Sequence, residues 1–168
     1  MIIGSILEDQ NLEKRVSITP EIAKKYVGLG FQVQLSQRYG EHLGFQKNNY
    51  EDIGVKFIND ESDLIKTSDI VIQMGLLNDE KLSLLNSNQT YIGVLNSYQN
   101  KEKLNKLSQK NINLFSLELL PRITRAQSMD ILSSQANLAG YKAVVETFSI
   151  FEKAIPMMMT AAGTVPAA

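Results

Sequence analysis

Short apolar runs alternate with helical patterns along most of this chain, and this alternation constrains its fold more than any other feature. Strand-like runs rich in β-branched residues are separated by segments in which apolar residues recur at helical spacing. We expect strands at residues 2–7, 31–35, 55–58, 69–74, 91–95 and 112–117, with helices beginning near residues 20, 60, 79 and 101. This pattern predicts an α/β fold in which a parallel sheet carries helices on both faces.

The composition favours one soluble globular domain. The chain has 168 residues, of which 43% are hydrophobic and 21% charged. Its 17 basic residues are scattered and balanced by 18 acidic ones, so we expect no nucleic acid as a partner. The sequence has no cysteine and a single histidine, His42, which excludes thiolate and histidine-cluster metal sites. No apolar run approaches the ~20 residues of a membrane span, so we expect no direct membrane insertion.

The first helix has a clear start signal. Thr19 is a typical N-cap residue, and Pro20 suits the first helical position. The carboxylate of Glu21 lies in the first turn, where it interacts favourably with the helix dipole.

A polar loop follows the last expected strand of the sheet. The apolar run at residues 112–120 stops at Pro121, as is typical of a buried strand. Open α/β sheets bind ligands at the carboxyl ends of their strands, and this loop combines guanidinium, amide, hydroxyl and carboxylate groups. Its polar residues are Arg122, Thr124, Arg125, Gln127, Ser128 and Asp130. We interpret it as a binding loop. In the alternative interpretation Arg122 and Arg125 pair with Glu118 and Asp130 to tie strand to helix, and both could hold.

The end of the chain has a different pattern. Apolar positions from residue 129 to about 154 predict one long helix, which Pro156 ends or kinks. The tail beyond it is apolar and contains glycine, and we expect no further strand there. We therefore predict three segments: an α/β N-terminal domain (1–128), a long linker helix (129–155) and a hinge into a missing nucleotide-binding domain (156–168).

Three motifs carry a resemblance to a known family. They are Arg-Val-Ser-Ile-Thr-Pro-Glu at 15–21, Pro-Arg-Ile-Thr-Arg-Ala-Gln-Ser-Met-Asp at 121–130, and Met-Met-Met-Thr-Ala-Ala-Gly-Thr at 157–164. With them the chain resembles, over essentially its whole length, the N-terminal domain shared by alanine dehydrogenase and the α subunit of proton-translocating NAD(P) transhydrogenase. The resemblance implies a flavodoxin-like or Rossmann-like domain.

The resemblance also implies roles for the loop. In the family, residues matching Arg122, Gln127 and Asp130 surround the nicotinamide, with Ser133 as a fourth expected contact. A carboxamide offers one acceptor and two donor hydrogens, so it needs a donor such as Arg and an acceptor such as Asp or Gln. We expect the four side chains to bind and orient the ring, and we expect no catalytic acid, base or metal among them.

Two further positions distinguish the family branches. At the places where alanine dehydrogenase has a lysine and a histidine, this chain has Gln73 and Asn96. Neither is a general acid or base at neutral pH, whereas direct hydride transfer between two nicotinamides needs no proton donor. The transhydrogenase branch is therefore favoured. Arg15, which matches a substrate-carboxylate arginine of alanine dehydrogenase, is more readily interpreted as a structural arginine paired with an acidic side chain.

No Gly-x-Gly-x-x-Gly motif occurs, so the resemblance implies an NAD(H) site completed by a missing second domain. It further implies NADP(H) on a partner component, membrane-embedded partner components, a homodimer in which the long helix takes part, and a peripheral place on the cytoplasmic face of the inner membrane. Two alternatives remain open: a fragment of an amino-acid dehydrogenase of the alanine or saccharopine type, and a non-catalytic interaction subunit.

Overall fold

The structure, a computed structural model, describes residues 1–167. The chain divides into two compact units, Met1–Leu120 and Pro121–Ala168, of which Ala168 lies outside the described residues. The first unit contains the α/β sheet, and the second contains the polar loop, the long helix and the tail.

The first unit is built on one parallel sheet. Six strands lie in the order β3-β2-β1-β4-β5-β6, and every neighbouring pair is parallel. The strands are β1 (Ile2–Ser5), β2 (Gln32–Ser36), β3 (Lys56–Ile58), β4 (Ile70–Ile72), β5 (Thr90–Gly93) and β6 (Asn113–Ser116). This Rossmann-like α/β architecture confirms the predicted fold class.

Helices connect the strands. They are α1 (Pro20–Gly28), α2 (Lys47–Glu51), α3 (Glu61–Thr67), α4 (Asp79–Ser83) and α5 (Lys101–Gln109). The predicted start of α1 is confirmed, because the Thr19 side chain accepts a hydrogen bond from the backbone N–H of Ile22 at 3.4 Å.

The order of the strands reverses at the centre of the sheet. The chain runs from β1 outward through β2 to β3, then returns to β4 on the other side of β1. In the register of this central pair Gly4 lies opposite Val71. The carboxyl ends of β1 and β4 therefore lie side by side, at the topological switch point of the sheet.

Buried side chains of the first unit form two hydrophobic clusters. One contains Leu64, Val71, Tyr91 and Leu95, and the other contains Ile18, Leu35, Tyr50 and Val55. Packing is close enough at Gly93 that a Cβ atom there would lie 2.6 Å from the backbone oxygen of Gln73. Only glycine fits between β5 and the end of β4 at this point.

The interpretation of residues 112–120 as a buried strand is wrong. β6 is the last strand of the sheet, and the Phe115 side chain on it is 56% exposed. An apolar run does not reveal whether neighbours cover both faces of the strand, so an edge strand and a central one look alike in the sequence.

The second unit begins with the polar loop. A 3₁₀ helix, Thr124–Met129, is followed by α6 (Ile131–Ile150), and α6 has no buried residue. The long helix was expected over residues 129–154 and ends earlier, because Phe151 has an extended backbone.

The expectation that the tail has no further strand is wrong, because the tail contains a hairpin. β7 (Met158–Thr160) and β8 (Gly163–Val165) pair in antiparallel fashion. Gly163 adopts a φ of 131°, which favours glycine and allows the tight connection. Among the described residues, no helix combines the length and apolar character needed to cross a membrane.

Candidate functional site

Three of the four predicted contact residues interact through their side chains within the second unit. Asp130 is the N-cap of α6, and its carboxylate accepts hydrogen bonds from Ser133, from the backbone N–H at 2.9 Å and from the hydroxyl at 2.7 Å. These bonds, with the nearby positive charge of Arg122, hold the pKa of Asp130 below its usual value. The carboxylate is therefore ionised at neutral pH and acts only as an acceptor.

The fourth residue, Gln127, lies in the 3₁₀ helix that precedes Asp130. Its backbone oxygen accepts a hydrogen bond from the backbone N–H of Asp130 at 3.2 Å, and its side chain is exposed. Ala126 is buried, which anchors this turn. The segment from Arg122 to Ser133 thus presents a guanidinium, an amide, a hydroxyl and an ionised carboxylate around the 3₁₀ helix and the first turn of α6.

The structural alternative pairs the loop arginines with Glu118 and Asp130. The positive charge of Arg122 does act on Asp130, and both carboxylates also accept hydrogen bonds from other groups. Glu118 accepts hydrogen bonds from the backbone N–H groups of Leu95 and Ser97, at 3.1 and 2.9 Å, and from the Ser116 hydroxyl at 2.7 Å. Burial opposes the ionisation of Glu118, but the hydrogen bonds outweigh it and lower its pKa. Glu118 therefore ties the ends of β5 and β6 together, and Asp130 caps α6.

The two positions that distinguish the branches have no proton-transfer group. Gln73 is buried, and its Oε1 accepts hydrogen bonds from the Ser5 hydroxyl at 2.8 Å and the Ile6 N–H at 3.1 Å. Asn96 is exposed and has a φ of 48°, a left-handed conformation that asparagine tolerates well. Both residues hold local structure.

Arg15 pairs with an acidic side chain, as its structural interpretation requires. Its guanidinium donates to the Glu13 carboxylate at 2.7 and 2.8 Å. The hydrogen bond to Glu13 raises the pKa of Arg15, and the same bond lowers the pKa of Glu13.

A buried hydroxyl cluster at the ends of β1 and β4 was missed by sequence reasoning. The Ser5 hydroxyl contacts the Tyr39 and Ser17 hydroxyls, each at 2.9 Å. Tyr39 also accepts a hydrogen bond from the Ile18 N–H at 3.1 Å. Isolated serines and tyrosines carry no local signal for such a cluster, because its members come from three separate places in the chain. The residues described, 1–167, contain no cluster of three or more acidic, histidine or cysteine side chains that could hold a metal ion.

The fold and the loop define a class: a Rossmann-like α/β domain followed by a polar loop and a long helix. Residues 5–139 match the family model described as "Alanine dehydrogenase/PNT, N-terminal domain", and the chain belongs to that family.

Individual relatives agree with this assignment. The chain is 37% identical over 171 residues to the first part of NAD(P) transhydrogenase subunit alpha of Rickettsia prowazekii, covering 99% of this chain and 45% of that protein. It is 39% identical over 161 residues to the protein of the same name from Rhodospirillum rubrum, covering 93% and 42%. The solved structure of a transhydrogenase from Sinorhizobium meliloti matches with a TM-score of 0.89 and 38% identity, over all of this chain and 50% of that one. The chain therefore spans less than half the length of these two curated relatives.

Proposed function

We propose that this chain is part of the NAD(H)-binding component of a proton-translocating NAD(P) transhydrogenase. In this proposal the segment from Arg122 to Ser133 positions the nicotinamide for hydride transfer from NADH to NADP. The names of its relatives place them in a transhydrogenase, an oxidoreductase complex with more than one part. Since the chain covers less than half of those relatives, the reaction and the partners are proposed for the completed assembly.

The observation that carries the proposal is the arrangement of Asp130, Ser133 and Arg122. A nicotinamide carboxamide has one acceptor oxygen and two donor hydrogens. The ionised Asp130 can accept from the amide hydrogens, and the Arg122 guanidinium can donate to the oxygen. Gln127 and Ser133 each offer a donor and an acceptor. The donor set of the loop therefore fits the group.

Orientation is the main contribution that these residues make. Charge-assisted hydrogen bonds contribute roughly 1.5–3 kcal/mol each and have directional geometry. Two such bonds to one carboxamide would fix the rotation of the ring and the face that it presents. When bound, the dihydronicotinamide supplies the hydride, and the protein supplies position and electrostatics.

Hydride transfer between two nicotinamides requires no acid or base from this chain. The residues at the two positions that distinguish the family branches are consistent with such a reaction. Gln73 and Asn96 have no titratable group, and Gln73 Oε1 is engaged by Ser5 and Ile6. An amino-acid dehydrogenase would need proton transfer at the keto or imine carbon. Oxidation of NADH that depends on pyruvate or 2-oxoglutarate would support that alternative instead.

We also propose the partners that a transhydrogenase of this kind requires. These are an NADP(H)-binding component and membrane components, which would hold this chain on the cytoplasmic face of the inner membrane. A second copy of the subunit would pack against α6. The uncovered apolar side chains of that helix, among them Leu138, Val145 and Phe148, support the homodimer.

A pair of arginine variants tests the loop assignment. In the completed subunit, assembled with its partner components, Arg122→Ala should slow hydride transfer while NADH affinity stays within about tenfold, since orientation and not gross binding is lost. Arg125→Ala is the matched control, because Arg125 lies in the same loop and has no proposed contact. Unchanged transfer by Arg122→Ala, or equal losses in both variants, would contradict the assignment.

A further inference from the structure

The switch point of the sheet is the place where an open α/β domain would ordinarily accept a ligand. The crevice there lies beyond the carboxyl ends of β1 and β4. In this chain the groups that line it come from the turn after β1 and from the residues that follow β4. Both segments belong to the first unit, Met1–Leu120.

A carboxylate of the chain itself occupies this place. Glu8, in the turn after β1, accepts a hydrogen bond at 2.6 Å from the backbone N–H of Met74, and the backbone N–H of the next residue, Gly75, also lowers the pKa of this carboxyl. Two successive backbone N–H groups that converge on one anion form the arrangement found in backbone anion sites. The two N–H groups therefore act as an anion site whose anion is Glu8.

Glu8 is partly buried, so this contact is more than a surface contact. Burial raises the pKa of its carboxyl, and the hydrogen bonds from Met74 and Gly75 only partly counteract that effect. The nearby titratable groups act in both directions: the negative charge of Glu13 raises this pKa, and the positive charge of Lys81 lowers it. Tyr91 also lies close enough to interact with Glu8 electrostatically.

Side chains of the chain itself also fill the inner end of the crevice. Gln73, next to Met74, is bonded through its Oε1 to Ser5 and Ile6, and Ser5 is bonded in turn to Tyr39. The Gln73 Nε2 is buried and has no hydrogen-bond partner among the described residues. An unpaired buried donor is energetically unfavourable, so this amide N–H group is a cost of the arrangement.

We propose that the backbone N–H groups of Met74 and Gly75 form a carboxylate-binding site at the switch point, and that the chain fills this site with its own Glu8. The occupied site links the turn after β1 to the turn after β4 and closes the crevice to external anions. The first unit consequently has no place for a cofactor phosphate at its switch point. A small monocarboxylate, such as formate or acetate, takes the site once the Glu8 side chain is removed.

Chemical rescue of a truncated side chain tests this proposal. Glu8→Ala should lower the melting temperature of the chain, and formate at about ten times its Kd should raise it again by roughly 3 °C. Formamide and chloride at matched concentration and ionic strength should give no such gain. Glu80→Ala, which removes an exposed glutamate from α4, should show neither the loss nor a specific response to formate. Equal responses to formate in Glu8→Ala and the unsubstituted chain would overturn the proposal.

A measurement on the unsubstituted chain covers the case in which Glu8→Ala does not fold. The amide resonances of Met74 and Gly75 should titrate together with the Glu8 carboxyl carbon in NMR spectra. Their common midpoint should lie above the ordinary value for glutamate. Amide resonances that follow a different midpoint, or do not move, would show that Glu8 is not their ligand and would overturn the proposal.

Discussion

The Asp130 carboxylate is bonded twice to Ser133, through the backbone N–H at 2.9 Å and through the hydroxyl at 2.7 Å. Two of the four side chains proposed to contact the nicotinamide thus also form the N-terminal cap of α6, with Asp130 as the N-cap residue and Ser133 as its partner. A ligand at this position would bind to groups whose orientation is already fixed, because the start of the helix holds them. Pre-organisation of this kind lowers the entropy lost on binding.

Removal of the cap should weaken α6. Asp130→Ala loses both bonds to Ser133 and should lower the helix content of the chain, measured by far-ultraviolet circular dichroism. Asp130→Asn should keep most of it, because asparagine is an equally good N-cap residue. A helix signal in Asp130→Ala equal to that of Asp130→Asn would contradict the capping role.

The same bonds predict a dependence on pH. Because the pKa of Asp130 is lowered in the folded chain, its contribution is fully present above the unfolded value, about 3.9. It should be lost as the pH falls below that value and through the lower folded pKa. Comparison of the helix signal between pH 5 and pH 2 in the unsubstituted chain and Asp130→Asn should show a smaller acid loss in the variant.

Glu118 should stabilise the edge of the sheet. Glu118→Ala leaves the N–H groups of Leu95 and Ser97 without their acceptor, and we expect a loss of about 1 kcal/mol in the free energy of unfolding. This loss is at the low end of the range for unsatisfied buried donors, because water partly reaches the site. Removal of the exposed carboxylate in Glu152→Ala should change the stability by less than about 0.5 kcal/mol in the same denaturant titration. Equal losses of stability in the two variants would contradict the stabilising role of Glu118.

The Glu118 contribution should depend on pH in a definite direction. The pKa of Glu118 is lowered on folding, so the stabilisation is complete above about pH 4.3 and declines as the pH falls through the folded value. The difference in stability between the unsubstituted chain and Glu118→Ala should therefore shrink on acidification. A difference that grows below about pH 4 would contradict the lowered pKa.

Close packing at Gly93 predicts a large effect from one methyl group. Gly93→Ala would place a Cβ atom 2.6 Å from the backbone oxygen of Gln73, and backbone atoms cannot move aside cheaply. We expect a loss of about 1–3 kcal/mol in the free energy of unfolding. Gly28→Ala is the control, since a Cβ atom there meets nothing within 4 Å. Its stability should not fall, and a gain of up to about 1 kcal/mol is expected because alanine lowers the entropy of the unfolded chain.

The uncovered helix α6 predicts self-association. Phe148 is 57% exposed and Leu138 58% exposed, which is unusual for large apolar side chains on one helix. In the completed subunit, Phe148→Glu should shift the equilibrium from dimer to monomer in sedimentation experiments. Asn137→Glu introduces the same charge at a polar position of the helix and should leave the equilibrium nearly unchanged. A dimer unaffected by Phe148→Glu would contradict the role of this face.

Local signals in the sequence predicted most of the first unit. The N-cap signal of Thr19, with Pro20 and Glu21 after it, correctly predicted the first residue of α1, because capping depends on adjacent positions. The strands were predicted slightly too long. The first strand was expected over residues 2–7, whereas β1 spans Ile2–Ser5. The ends of a strand depend on its neighbours in the sheet, and those neighbours lie in other segments of the chain.

Features made by distant residues were not predictable. The bond from Met74 to Glu8 joins two segments that are 66 positions apart, and no local pattern indicates it. The hairpin of β7 and β8 was missed for a different reason. Its connection, Ala161-Ala162 before Gly163, lacks the Asn-Gly or Asp-Gly signal that marks a tight hairpin.

A fluorescence titration of NADH tests the central claim most directly. One sample contains the 168-residue chain alone, and the other contains it joined to the remaining segment of the Rhodospirillum rubrum relative. We predict binding by the joined protein and weak or no binding by the chain alone, since the loop from Arg122 to Ser133 orients the ring but lacks a phosphate cradle. Tight binding of NADH by the isolated chain would contradict this claim, because a complete site would then lie within these residues.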